Sequence, residues 1–178
     1  MTMKFCLVGI GNMGLPKLSL VWALLVLGLL TGCGFHLRGN LAFAFSSIAI
    51  TPYPGSAVAQ ELRRSLGSAV NVLKPHDPLT QAQLVMNVLS EQREKTVVGV
   101  NASGQVREFQ LRNRVKFSLT TPQGREIWAE NEILQQRDIS YNESAALAKE
   151  AEEILLYRDM QTDIVQQIMR RLATVKLF

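Results

Sequence analysis

Glu108-Phe109-Gln110-Leu111-Arg112-Asn113-Arg114-Val115-Lys116-Phe117-Ser118-Leu119 is the stretch that decides the fold, because apolar and polar residues alternate along it. Successive side chains of a strand point to opposite faces. Phe109, Leu111, Val115, Phe117 and Leu119 therefore make one apolar row, and Glu108, Gln110, Arg112, Arg114, Lys116 and Ser118 make a polar one. That alternation predicts an antiparallel strand with one face on a core and the other in water. Only Asn113 interrupts the apolar row, and its position suits a side chain hydrogen-bonded near a helix better than a catalytic one.

Working outward, Asn101-Ala102-Ser103-Gly104 has the chemistry of a hairpin turn and links this strand to an extended segment from Leu84 to Val100. The pattern of that segment changes phase between Glu91 and Thr96, which predicts a bulge or bend there. On the other side, Thr121-Pro122-Gln123-Gly124 turns the chain into a third segment, Arg125 to Tyr141. Its weaker alternation (Ile127, Ala129, Ile133, Ile139) is that of an edge strand. From Glu143 the period becomes helical, with Asn142 as cap and Leu147, Ile154, Tyr157, Ile164, Ile168, Met169 and Leu172 in one stripe. Arg170 and Arg171 then sit at the helix C-terminus, where the backbone dipole favours cations.

Upstream, Ser47 to Thr51 reads as a first strand, stopped by Pro52-Tyr53-Pro54-Gly55. Ser56 can cap a helix of about three turns whose apolar face is Val58, Leu62, Leu66 and Ala69. Val70 to Leu73 is a candidate short strand before the break at Lys74-Pro75-His76-Asp77-Pro78. The order strand, helix, strand, strand, strand, helix predicts an α+β two-layer sandwich. Its sheet is expected to be a four-stranded mixed sheet, with two helices packed on one face and a single domain over 46–178.

The N-terminal part is of a different kind. Lys17 precedes the charge-free apolar run Leu18 to Leu30, which is shorter than the roughly 20 residues a helix needs to cross a bilayer. It fits the apolar region of an export signal. Leu30-Thr31-Gly32-Cys33 follows with the form of a lipobox, so residues 1–32 are expected to be a lipoprotein signal peptide. Cys33 becomes the lipidated first residue, and 33–45 a tether. With Cys6 removed and Cys33 acylated, no thiol is left for an intramolecular disulfide. Gly34 lacks the aspartate that retains many enteric lipoproteins in the inner membrane, which is permissive for the outer membrane. Gly9-Ile10-Gly11-Asn12-Met13-Gly14 matches a dinucleotide-binding pattern, but Pro16 and the apolar run follow it and the first acid is Glu61, so no cofactor is expected. Translation from Met13 would give a more ordinary signal peptide, and both starts stay open.

The formal net charge is +4, and loss of Lys4 and Lys17 lowers it by two, too mild a balance to imply nucleic acid. His36 and His76 are the only histidines, and no group of residues has metal-ligand or nucleophile–base spacing, so neither an enzyme nor a metal site is expected. Among non-catalytic readings, a periplasm-facing lipoprotein adaptor that binds protein but no lipid is the simplest.

Three segments carry a resemblance. Leu30-Thr31-Gly32-Cys33-Gly34-Phe35-His36-Leu37-Arg38, Gly104-Gln105-Val106-Arg107-Glu108-Phe109-Gln110-Leu111, and Asn142 to Leu172 with Leu147-Ala148-Lys149 and Ile168-Met169-Arg170-Arg171-Leu172 resemble, in this order, the LPS-assembly lipoprotein family LptE. The resemblance implies a lipid-anchored protein on the periplasmic side of a Gram-negative outer membrane. It implies a 1:1 heterodimer in which the lipoprotein plugs an LPS-assembly outer-membrane β-barrel (LptD-like), helps deliver lipopolysaccharide to the outer leaflet, and itself binds lipopolysaccharide. Lys149 stands where the family places a lysine in its last helix. A second basic residue is expected just before the Gly-Gln pair, where this chain has Ala102-Ser103, and Arg107, across the turn, could supply that lipopolysaccharide contact instead. Arg112, Arg114 and Lys116 form a basic row that could meet lipid phosphates, the barrel lumen, or only water.

Overall fold

The computed structural model describes residues 41–52 and 55–176. The expected signal peptide 1–32, the lipidation at Cys33 and the tether up to residue 40 lie outside the described residues. Of the segment read as tether, Phe45 is buried in the core, and Phe43 packs against that core with its ring centroid 5.3 Å from that of Phe45.

The strands are β1 (Ser47–Thr51), β2 (Asn71–Val72), β3 (Leu84–Val100), β4 (Val106–Thr120) and β5 (Glu126–Ser140); the helices are α1 (Ala57–Leu66) and α2 (Ala146–Leu172). They build one mixed sheet of order β2-β1-β3-β4-β5, in which β1 runs parallel to β2 and β3 and the remaining pairs are antiparallel. The sheet thus has five strands, not the four expected. The additional strand is Asn71–Val72, inside the candidate Val70 to Leu73 that the count of four left out, and too short to show any period of its own. It is a strand because β1 offers it partners: Asn71 N–H donates to Ser46 O and Leu73 N–H to Ile48 O, both at 2.9 Å.

β3 meets β1 only from Leu84 to Asn87, whereas β4 follows it to Val100. The structure therefore has a five-stranded base and a three-stranded extension formed by β3, β4 and β5. Register shifts in β3 fall at Val88/Ser90 and around Gly99. The bulge expected within Glu91–Thr96 is not there; that stretch pairs regularly with Gln110 to Val115 of β4, and the two irregularities bracket it. Turn geometry is as the residues dictate: Asn101 Oδ1 accepts from Ser103 N and Gln105 N, and Gly104 takes φ +79°, a region that glycine enters without steric penalty.

Leu111, Val115, Phe117 and Leu119 of β4 are fully buried under the helices. Ile48, Leu84 and Met86 join them from the sheet, Leu62 and Leu66 from α1, and Ile164, Ile168 and Leu172 from α2. Each fully buried aliphatic side chain stabilises by roughly 1.5–3 kcal/mol relative to exposure, so this alternation is the main source of the fold's stability. Ser56 caps α1 as expected, its Oγ accepting from Ala59 N at 3.0 Å while its hydroxyl donates to Glu91 Oε2 at 2.7 Å. Asn142 accepts from Ser144 N at 3.1 Å and so caps the short 3-10 turn Glu143–Ala145 that leads into α2.

Two expectations fail. Asn113 is fully buried, yet neither Nδ2 nor Oδ1 has a hydrogen-bond partner among the described residues. Its cross-strand neighbours are Arg93 and Gln135, of which Arg93 donates to Gln161 Oε1 and Gln135 Oε1 accepts from Arg137. The apolar stripe of α2 is also not continuous: Leu147 is 83 % and Ile154 68 % exposed. The sheet-facing line of the helix runs through Tyr157, Met160, Ile164 and Ile168, all buried; Leu147 and Ile154 share their angular position with buried Val165 and Leu172, but only the later turns, Ile164 to Leu172, share a core cluster with α1.

Candidate functional site

The basic residues singled out in the sequence fall on two opposite faces of the sheet. Lys149 lies in the second turn of α2, on the helix side, and closes a cavity of about 110 Å³ at the extension. The cavity is also lined by Lys95 of β3, Phe109 of β4, and Ser140 and Tyr141 at the end of β5. Lys149 Nζ donates to Ser140 Oγ at 3.0 Å and to Glu152 Oε2 at 2.9 Å. Lys95 Nζ pairs with Glu153 Oε2 at 2.6 Å and stands 4.3 Å from the centroid of the Phe109 ring. Phe109 and Tyr141 meet edge to face, with centroids 5.2 Å apart.

The arrangement therefore offers two ammonium groups beside an aromatic wall, each held by a glutamate of α2, Glu152 on Lys149 and Glu153 on Lys95. A phosphate could take either lysine through charge-assisted hydrogen bonds only by displacing Glu152 or Glu153. Of these lining residues only Lys149 stands out in the sequence as a lipid contact. Lys95, Phe109 and Tyr141 come from three different strands or strand ends, and only pairing in three dimensions brings them to one place; the hint in the sequence was a lysine at a β3 position whose partner, Leu111, is core.

Arg112, Arg114 and Lys116 form a row on the face turned away from the helices. Arg112 Nε donates to Gln110 Oε1 at 2.8 Å, Arg114 Nε lies 3.8 Å from Glu132 Oε1, and Lys116 Nζ pairs with Glu130 Oε1 at 2.7 Å. That hydrogen bond and the Glu130 charge raise the Lys116 pKa above its usual value. Leu134, opposite Arg114 in register, is exposed on the same face. The row is thus a surface of ion pairs interrupted by an apolar side chain, and nothing covers it among the described residues. Arg107, at the start of β4, is exposed, and its carbonyl accepts from Tyr141 N at 2.7 Å. Strand alternation puts it on the face of Phe109, nearer Lys149 than the basic row.

Among the described residues, no group of three His, Cys, Asp or Glu side chains is placed to hold a metal ion. No described helix is long and apolar enough to cross a membrane, which says nothing of spanning by β-barrel.

Comparison with known proteins adds the following. A family model described as LptE, Lipopolysaccharide-assembly, matches residues 43–172. The LPS-assembly lipoprotein LptE of Pectobacterium atrosepticum is 28% identical over 159 residues, covering 85% of this chain and 84% of that protein. Among solved structures, the solution NMR structure of an uncharacterized lipoprotein B from Nitrosomonas europaea aligns with a TM-score of 0.68 at 32% identity, covering 79% of this chain and 90% of the other. The crystal structure of the rare lipoprotein B from Shewanella oneidensis aligns with a TM-score of 0.59 at 20% identity, covering 72% of this chain and 95% of that one, a likeness of fold alone.

Proposed function

Because this chain belongs to the LptE lipopolysaccharide-assembly family, whose model spans both helices and all five strands, we propose that it is an outer-membrane lipoprotein held by acylated Cys33 that plugs the LPS-assembly β-barrel (LptD-like) in a 1:1 complex. In this reading it helps pass lipopolysaccharide to the outer leaflet and contacts the lipid itself. The family is one of LPS assembly rather than catalysis, so the residues act by binding and positioning.

The observation that carries the lipid contact is the convergence of Lys149 and Lys95 beside Phe109 and Tyr141. Lysine binds phosphate as a point charge, and the aromatic wall gives the sugar or acyl part of a lipid a place to rest. The glutamates set the affinity, since the incoming phosphate must replace Glu152 on Lys149 or Glu153 on Lys95. The basic row on the other face suits a different task. Arg114 and Lys116 are already paired with Glu132 and Glu130, Arg112 donates to Gln110, and with exposed Leu134 the row makes a mixed surface of the sort that meets protein. In the plug reading it is this face that lies against the barrel wall.

Two measurements test the proposal. Affinity purification of the tagged full-length protein from solubilised outer membrane should bring down a stoichiometric large β-barrel, and its reproducible absence refutes the plug. Lipopolysaccharide binding should weaken about tenfold or more in Lys149→Glu, given the ~1.5–3 kcal/mol of a hydrogen bond to a charged group, and strengthen in Glu153→Gln. Arg112→Glu should leave lipid binding unchanged and impair barrel capture. Saturable lipid binding indifferent to Lys149→Glu and Glu153→Gln refutes the lysine pocket. Absence of lipid binding with barrel capture intact would leave the protein-binding adaptor as the function.

A further inference from the structure

A second, larger cavity, of about 630 Å³, opens between α1 and α2. Arg64 of α1, Arg93 of β3 and Arg158 of α2 line it, with Glu61 and Gln161 between them and Ile154 at its rim. Arg93 is committed: its guanidinium donates to Gln161 Oε1 at 2.9 Å and lies 5.3 Å from the centroid of the Tyr157 ring. Glu61 is committed as well, accepting from Gln161 Nε2 at 2.6 Å and Thr162 Oγ1 at 2.9 Å. Arg64 and Arg158 form no ion pair among the described residues. The dipole of α1 accounts for a cation at Arg64, in its last turn. It does not account for Arg158, which sits mid-helix with Ile154, Leu155, Gln161 and Thr162 at the spacings where an acid would reach it.

The helix surface continuing from Arg158 is apolar. At 100° per residue, Arg158, Ile154, Ala151 and Leu147 share one stripe, and all four are exposed. The stripe from Ile154 to Leu147 runs about 10 Å along the axis. Lys149 points to the other side of the same helix, toward Ser140, so the lysine pocket and this cleft are separate.

We propose that the interhelical cleft binds a glycerophospholipid, with its phosphate between Arg64 and Arg158 and one acyl chain along Ile154, Ala151 and Leu147. The net positive lining selects the anion, and the guanidinium fork matches a phosphate through paired hydrogen bonds. The volume is that of a site for one small head group, within the roughly 300–1,000 Å³ of ligand pockets. The single apolar stripe suits one chain. The inference does not rest on lipopolysaccharide binding, since it uses none of the residues of the lysine pocket.

The test uses the full-length lipoprotein in phosphatidylcholine vesicles doped with a photoactivatable phosphatidic acid. Label should map to the peptide carrying Leu147 to Ile154 and fall about tenfold in the double variant Arg64→Glu/Arg158→Glu, both positions being exposed. Lys149→Glu should leave it unchanged, so that failure of the lysine pocket and failure of the cleft give different patterns. Equal labelling by a photoactivatable diacylglycerol, or label insensitive to the double variant, overturns the proposal. So does competition by inorganic phosphate as strong as by phosphatidic acid, which would mark a bare anion site. A photoreactive residue at Ile154 that captures protein instead of lipid likewise overturns it.

Discussion

Asn113→Val should make the protein more stable, an unusual outcome for a fully buried position. The native amide places one acceptor and two donors in the apolar row between Leu111 and Val115, with no partner for Nδ2 or Oδ1. Burying an amide without compensating hydrogen bonds costs about 1–3 kcal/mol on the scale set by protein mutations. Valine is β-branched, suits a central strand and removes both polar atoms, so the expected gain is about 1–2 kcal/mol. In a domain of this size each kcal/mol moves Tm by roughly 4 °C, giving a rise of roughly 4–8 °C. The assay is equilibrium urea unfolding followed by circular dichroism, on the non-lipidated mature chain carrying Cys33→Ser, with thermal melts alongside. An increased midpoint at unchanged m-value is the signature of greater stability. Asn113→Asp is the companion variant and should destabilise strongly at neutral pH, because it buries a charge without a partner. Loss of more than about 1 kcal/mol in Asn113→Val would refute the reasoning, since it would mean that the amide is well hydrogen-bonded in solution.

Other outcomes follow from single contacts. Ser56→Ala removes the cap of α1 and the hydroxyl that donates to the Glu91 carboxylate, and should lower unfolding free energy by about 1–2 kcal/mol, with Ser56→Thr retaining most of it. Tyr157 donates to Glu94 O at 2.8 Å, and burial, reinforced by the Glu153 carboxylate, raises its pKa above 10.0. Since the folded pKa is raised, this contribution is fully present below pH 10 and disappears as pH climbs through the raised value. Tyr157→Phe should therefore lose about 1 kcal/mol at neutral pH and show a flatter alkaline limb in a stability–pH profile. A parallel alkaline limb in both proteins would contradict the assignment.

Much of the fold was legible because period-two and period-3.6 patterns report burial directly. The Phe109 to Leu119 row became the buried face of β4, the hairpin turn at Asn101–Gly104 closed as its residues require, and Ser56 and Asn142 cap where their chemistry suggests. Periodicity fails where partners, not local pattern, decide. Asn71–Val72 is a strand only because β1 lies beside it. Leu147 and Ile154 carry the right spacing for a buried stripe, but spacing does not say which neighbours lie above a given turn of helix. The candidate sites divide in the same way. Lys149 was found by resemblance, while Lys95, Phe109 and Tyr141 became its neighbours through the register of three strands, and the approach of Arg64 to Arg158 depends on the packing of α1 beside α2.

The overhang of β3 beyond β1 has a bearing on aggregation. From Val88 onward this strand presents a long edge, the kind of surface on which another chain can nucleate an intermolecular sheet. Several features blunt it. Glu91, Glu94, Arg93 and Lys95 load it with charge, register shifts interrupt it at both ends, and the Tyr157 hydroxyl occupies the Glu94 carbonyl. Strands of this length would otherwise template their own kind before any partner is met. Two of these charges, Arg93 and Lys95, also line the two cavities, so residues that furnish a site double as gatekeepers that keep a sheet with open sides from growing.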